Sequence, residues 1–150
     1  MDQSPGARQD ALVIEVTFSV RQDGQVDALL GDEWPIFNEA LGDSISSLPP
    51  RGAPGNGPST YWIDVAEAGA RRAAETSDDA PFTGGNITEL RVRDGLVIAR
   101  YDFAEPDEPV DALPLDDFLE LLSRWRERVV ESARRATSPL PETYRRNPHR

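Results

Sequence analysis

The chain contains no cysteine and no lysine, one methionine, one histidine, and no apolar run long enough to cross a membrane. Without cysteine there are no disulfides, no thiolate metal sites and no cysteine nucleophile, which fits a reducing compartment. The single histidine, His149, stands next to the chain end in a stretch rich in proline and arginine, where nothing holds a general base in position. These two shortages together exclude zinc and most transition-metal sites. No segment approaches the roughly 18 apolar residues of a membrane span, and Met1–Gly6 lacks the basic start and apolar run of a secretory signal. The expectation is a cytoplasmic protein, with no cofactor.

What is there is carboxylate. The 150 residues carry 27 acids against 16 arginines, a net charge of −11. Residues 1–113 hold 21 acids and 8 arginines, whereas residues 114–150 hold 6 and 8. Two stretches contain no base at all. From Asp23 to Leu48 lie Asp23, Asp27, Asp32, Glu33, Glu39 and Asp43; from Tyr101 to Asp117 lie Asp102, Glu105, Asp107, Glu108, Asp111, Asp116 and Asp117. Such a field repels nucleic acid and anionic membranes and steers a basic protein inward. Acidity also keeps proteins soluble, but solubility does not require two base-free segments.

Hydrophobic spacing sets the organisation. Residues 1–10 read as a loose arm, 11–137 as one domain, and 138–150 as a disordered basic tail. From Ala11 to Val20, Leu12, Ile14, Val16, Phe18 and Val20 alternate with other residues, the period of a strand. Leu29, Leu30, Trp34, Ile36, Phe37, Leu41, Ile45 and Leu48 recur at threes and fours, predicting a helix over about 33–46 with Pro35 in its first turn. Residues 49–59 hold four prolines, three glycines and no regular pattern, which predicts a mobile surface loop. Tyr61-Trp62-Ile63 reads as a short strand leading into a helix over 64–76, with Asp64 able to cap it.

The sharpest local signal is Asp94-Gly95, a type I′ turn that predicts a hairpin of Asn86–Arg93 with Leu96–Phe103. Its register would pair Arg93 with Leu96, Val92 with Val97, Leu90 with Ala99 and Glu89 with Arg100, so that Leu90, Val92, Val97, Ala99 and Tyr101 face the core. After an acidic loop over 104–111, Leu115, Phe118, Leu119, Leu122, Trp125, Val129, Ala133 and Ala136 form one stripe of a long helix. Asp116 and Asp117 at its start and Arg134 and Arg135 at its end suit its dipole. The sum is an α+β fold, a mostly antiparallel sheet in the order β-α-β-α-β-β-α, with helices on one face and a long C-terminal helix.

Catalytic patterns fail on specific residues. Gly52 to Ser59 matches the phosphate-binding pattern G-x-x-x-x-G-K-[ST] except that Pro58 stands at the lysine, removing the charge and a backbone N–H together. The adjacent pairs Asp78-Asp79 and Asp116-Asp117 are accounted for by a turn and a helix start, since neighbouring residues seldom aim at one substrate. No G-x-S-x-G elbow occurs. Residues 105–111 lack calcium-loop spacing and read as a solvated acidic loop. Arg91, Arg93 and Arg100 share one hairpin face, but the surrounding acid speaks against nucleic acid. Trp62 and Trp125 fall in apolar patterns and read as core, while Trp34, beside Asp32, Glu33 and Pro35, is open between core and surface.

One resemblance joins these pieces. Tyr61-Trp62-Ile63-Asp64 with its Ala/Arg helix, then Gly85-Asn86-x-Thr88-x-Leu90 with its hairpin, then Leu115-Asp-Asp-Phe-Leu-x-Leu-Leu-x-x-Trp125 is similar to small actinobacterial immunity-type proteins of polymorphic or contact-dependent toxin systems, over residues 60–130. The resemblance implies a small acidic cytoplasmic protein that blocks a toxin by direct contact; with the failure of every catalytic pattern, the expectation is that the protein is not an enzyme. The expected partner is a basic protein, and the expected contact residues are Asp32, Glu33, Trp34, Glu39, Asp43, Glu105, Asp107, Glu108 and Asp111. The alternative is a small-ligand or accessory domain with a pocket between the hairpin and the last helix, lidded by residues 49–59.

Overall fold

A computed structural model describes residues 15–137, with side chains to residue 135. The expected arm, the first four positions of the expected first strand, His149 and the expected tail lie outside the described residues. Within them the order is β1 (Val16–Val20), β2 (Val26–Leu30), α1 (Pro35–Asp43), α2 (Tyr61–Thr76), β3 (Thr83–Gly84), β4 (Thr88–Arg93), β5 (Leu96–Tyr101), β6 (Asp111–Pro114) and α3 (Leu115–Thr137).

The chain reverses after β1 because Gly24 takes φ +91°, a conformation that suits glycine, and β1 and β2 then pair antiparallel from Val16↔Leu30 to Val20↔Val26. Alternation along β2 buries Val26, Ala28 and Leu30. Leu29 and Leu30, which also fit the helical spacing, belong to this strand. A pair of adjacent leucines satisfies both periods, and the hairpin turn decides for the strand. Helix α1 is accordingly shorter than expected, Pro35–Asp43, with proline in its first turn as predicted.

Tyr61–Ile63 is the opening turn of α2 rather than a strand. Ile63, Ala66, Ala70 and Ala73 all lie on its buried stripe, so the helical period reaches back into the aromatic triplet. Asp64 lies in the first turn, where it accepts from the Thr60 hydroxyl at 3.0 Å and from Arg126 Nε of α3 at 2.8 Å. It ties two helices together and is not the cap.

The large sheet runs β3-β4-β5-β6, antiparallel throughout. The β4–β5 hairpin has the predicted register from Arg93↔Leu96 to Glu89↔Arg100, and Asp94 and Gly95 both have positive φ, 54° and 78°, as a type I′ turn requires. The pairing extends to Thr88↔Tyr101. Two further strands are ones that the sequence does not predict. β3 precedes the hairpin, and β6 takes the four residues before α3, pairing with β5 from Leu96↔Pro114 to Ala99↔Asp111.

All three described helices lie on one face of this sheet, where Leu90, Val92, Val97, Ala99 and Leu113 are buried against Phe37, Phe118, Leu121 and Leu122. α3 carries i,i+4 ion pairs Glu120–Arg124 and Glu131–Arg135, both at 3.1 Å. Its Trp125, 1% exposed, donates its indole N–H to Val26 O at 2.9 Å, joining the small sheet to the core. Trp62, in contrast, is 37% exposed and packs edge-on against Tyr61. Ile63 takes the inward position in that turn, and its neighbour on the helix must face out.

Candidate interaction surface

Helix α1 organises the acidic residues. The residue at its N-cap position, Trp34, offers no side-chain cap; instead Asp111 reaches across from β6, and its Oδ2 accepts from the amides of Ile36 and Phe37 at 2.7 and 3.0 Å. A carboxylate at this end also meets the positive pole of the helix. At the other end Asp43 accepts from the amides of Asn86, Ile87 and Thr88 and from the Thr88 hydroxyl, all within 3.0 Å. Gly85 is needed there, since a Cβ on it would lie 2.2 Å from Asp43 O.

These contacts fix the path of the acidic loop. Ile87 O accepts from the Asp102 amide at 2.8 Å, so residues 102–110 leave the sheet beside the C-terminal end of α1 and return, through Asp111, beside its N-terminal end. The two base-free stretches, far apart in sequence, thus meet at the two ends of α1. Asp32 and Glu33 precede α1 and Glu39 lies on its open face; Glu105, Asp107 and Glu108 lie on the loop. All six are exposed, and none has an ion pair among the described residues. Trp34 is half-buried and edge-on to Phe37, its ring 6.5 Å away. Phe103, in the loop, is 71% exposed and stacks on Tyr101 at 5.1 Å.

The expected contact residues therefore divide. Asp43 and Asp111 are hydrogen-bonded within the fold; the other carboxylates are open to solvent. Partial burial pushes the Asp43 pKa up, but the Thr88 hydroxyl and the amides of Ile87, Asn86 and Thr88 outweigh it and hold the carboxyl below its ordinary value.

The second stretch is base-free in sequence but not in space. Arg100 Nη2 donates to Ala104 O at 2.8 Å and holds the loop against the outer face of the sheet. There Arg91, Arg93, Ile98 and Arg100, with Pro106, Glu108 and Val110, line a concavity of about 370 Å³. The guanidiniums are already engaged. Arg91 bonds Glu89 and Asp79 O, Arg93 reaches Asp79 at 3.3 Å, and Arg100 lies 3.6 Å from Glu89. Glu108 faces arginines on one side, whereas Glu105 and Asp107 do not line this concavity. Strand alternation in the hairpin put these arginines on one face; nothing local in the sequence showed that residues 106–110 would lie over them.

The space between the hairpin and α3, where a ligand pocket was the alternative, is filled by Leu90, Val97, Leu113, Phe118 and Leu122, none of them exposed. The 49–59 loop is irregular, and its ends are joined by Ser59 N to Ser47 O at 2.8 Å. No group of three or more histidine, cysteine or carboxylate side chains is placed to hold a metal among the described residues. No described helix is long and apolar enough to cross a membrane. No protein-family model, curated protein or solved structure matches this chain.

Proposed function

We propose that the chain is a non-enzymatic binding protein of the cytoplasm, an immunity-type inhibitor that neutralises a basic toxin by contact. The observation that carries this reading is a set of exposed carboxylates without ion pairs among the described residues: Asp32, Glu33 and Glu39 before and on α1, and Glu105 and Asp107 on the loop whose two ends are anchored near the ends of that helix. Exposed carboxylates without partners have no internal role to explain them, and they would complement a cationic cleft. Phe103 supports the reading in a second way. An aromatic ring so exposed, set among charges, is the anchor-and-rim pattern of protein interfaces.

The test is co-purification with the product of the neighbouring gene, followed by calorimetric titration at low and high salt. Neutralising Asp32, Glu33, Glu39, Glu105 and Asp107 together, as Asn or Gln, should slow association and flatten the salt dependence, and Phe103→Ala should speed dissociation. Unchanged affinity in both variants would refute the assignment of this surface.

A further inference from the structure

The small sheet has one edge capped at both ends and one edge that is open. Arg21 N donates to Gln25 O at 2.8 Å, which makes 21:25 a hydrogen-bonded pair; by antiparallel alternation 19:27 and 17:29 are also hydrogen-bonded, and the main-chain groups of Val16, Phe18 and Val20 point away from β2. The far edge of β2 obeys the same alternation and is capped at both ends. Val26 N donates to Ser47 Oγ and Val26 O accepts from Trp125, while Asn38 both accepts from Leu30 N and donates to Leu30 O. The outward groups of β1 have no such partners among the described residues.

Natural edges are usually blunted by charge, proline or a bulge. Val16-Thr17-Phe18-Ser19-Val20 has none of these. Its inward side chains overhang the core, since Val16 and Phe18 are half-buried and Val20 is 60% exposed, whereas their partners in β2 are buried.

We propose that β1 pairs antiparallel with β1 of a second copy of this chain, about a two-fold axis at Phe18, giving a four-stranded sheet β2-β1-β1-β2. The sequence is self-complementary in that register. Phe18 meets Phe18, Thr17 meets Ser19, Val16 meets Val20, and one step further Glu15 meets Arg21, which bonds Asp27 through Nε and Nη2 at 2.7 and 3.0 Å and can offer Nη1 to the second copy, so both ends of the pairing carry opposite charges. The outward groups of residues 16, 18 and 20 are those that such a pairing hydrogen-bonds. Side-chain room exists as well. A concavity of about 330 Å³ lined by Val20, Arg128, Glu131, Ser132 and Arg135 opens at Val20, on the face where Val16 of the second copy would arrive. A two-fold pairing of this kind is closed, so it yields dimers and not fibres.

Sedimentation equilibrium of the full chain across a concentration series should show a weak monomer–dimer equilibrium. Val20→Pro removes an edge donor without touching the β1–β2 ladder, and should leave a monomer with an unchanged circular dichroism spectrum. Glu15→Arg should weaken dimerisation on the order of tenfold, and adding Arg21→Glu should restore it. A monomer at every concentration, or a dimer indifferent to Val20→Pro and to the charge exchange, would overturn the proposal.

Discussion

Replacing Asp43 with asparagine tests how the acidic loop is held. Oδ2 of Asp43 serves three donors and Oδ1 one. An amide keeps one acceptor oxygen and turns an NH2 toward the amides that the other oxygen served. Hydrogen bonds to a charged acceptor contribute about 1.5–3 kcal/mol, and an orphaned amide costs a further ~1–3 kcal/mol. With partial relaxation and some access of water, the net loss should be about 2–4 kcal/mol. For a chain of this size that lowers Tm by roughly 5–15 °C.

The pH dependence gives the sharper signature. The folded pKa of Asp43 lies below its ordinary value, so its contribution is complete above the unfolded pKa, near ~3.9, and is lost as pH falls through the folded one. Urea unfolding should therefore show the full gap between the native chain and Asp43→Asn at pH 7, closing in acid below about pH 4. Hydrogen exchange should quicken at the amides of residues 86–88 in the variant. A gap at pH 7 below about 0.5 kcal/mol, or one that persists undiminished in acid, would refute this account of the carboxylate.

Asp111→Ala removes the cap that β6 lends to α1 and should cost about 1–2 kcal/mol in chemical unfolding; a variant that lost partner affinity at unchanged Tm would instead place Asp111 in direct contact. Trp125→Phe leaves Val26 O without its donor and a gap beside it, and should cost about 2–4 kcal/mol by thermal unfolding.

The expected contact residues show where sequence reading stops. Charge counting located both base-free stretches, but a count along the chain does not distinguish a carboxylate that solvates from one that accepts four hydrogen bonds. Asp43 and Glu39 are four residues apart and look alike in sequence, yet one holds the strand start at Thr88 and the other faces water. The arginines beneath the loop escaped for a related reason. Their common face follows from the hairpin, but the loop above them is brought there by Arg100 and by β6, a strand of only four residues with no clear alternation.

What the sequence determined by itself are the elements whose signals are local. Asp94-Gly95 can adopt the two positive φ angles of a type I′ turn, and that alone fixes the register of β4 with β5. The apolar stripe from Phe118 to Val129, with acids before it and arginines after it, is a helix wherever it is placed. Tertiary structure decided the rest. β2 is a strand because a turn at Gly24 lays it beside β1; Trp62 faces solvent because Ile63 takes the inward place; Asp111 is a helix cap because β6 ends beside α1. Each of these depends on what packs against the segment and not on the segment's own pattern, and the energy of burial and hydrogen bonding that selects it exists only once that packing has formed.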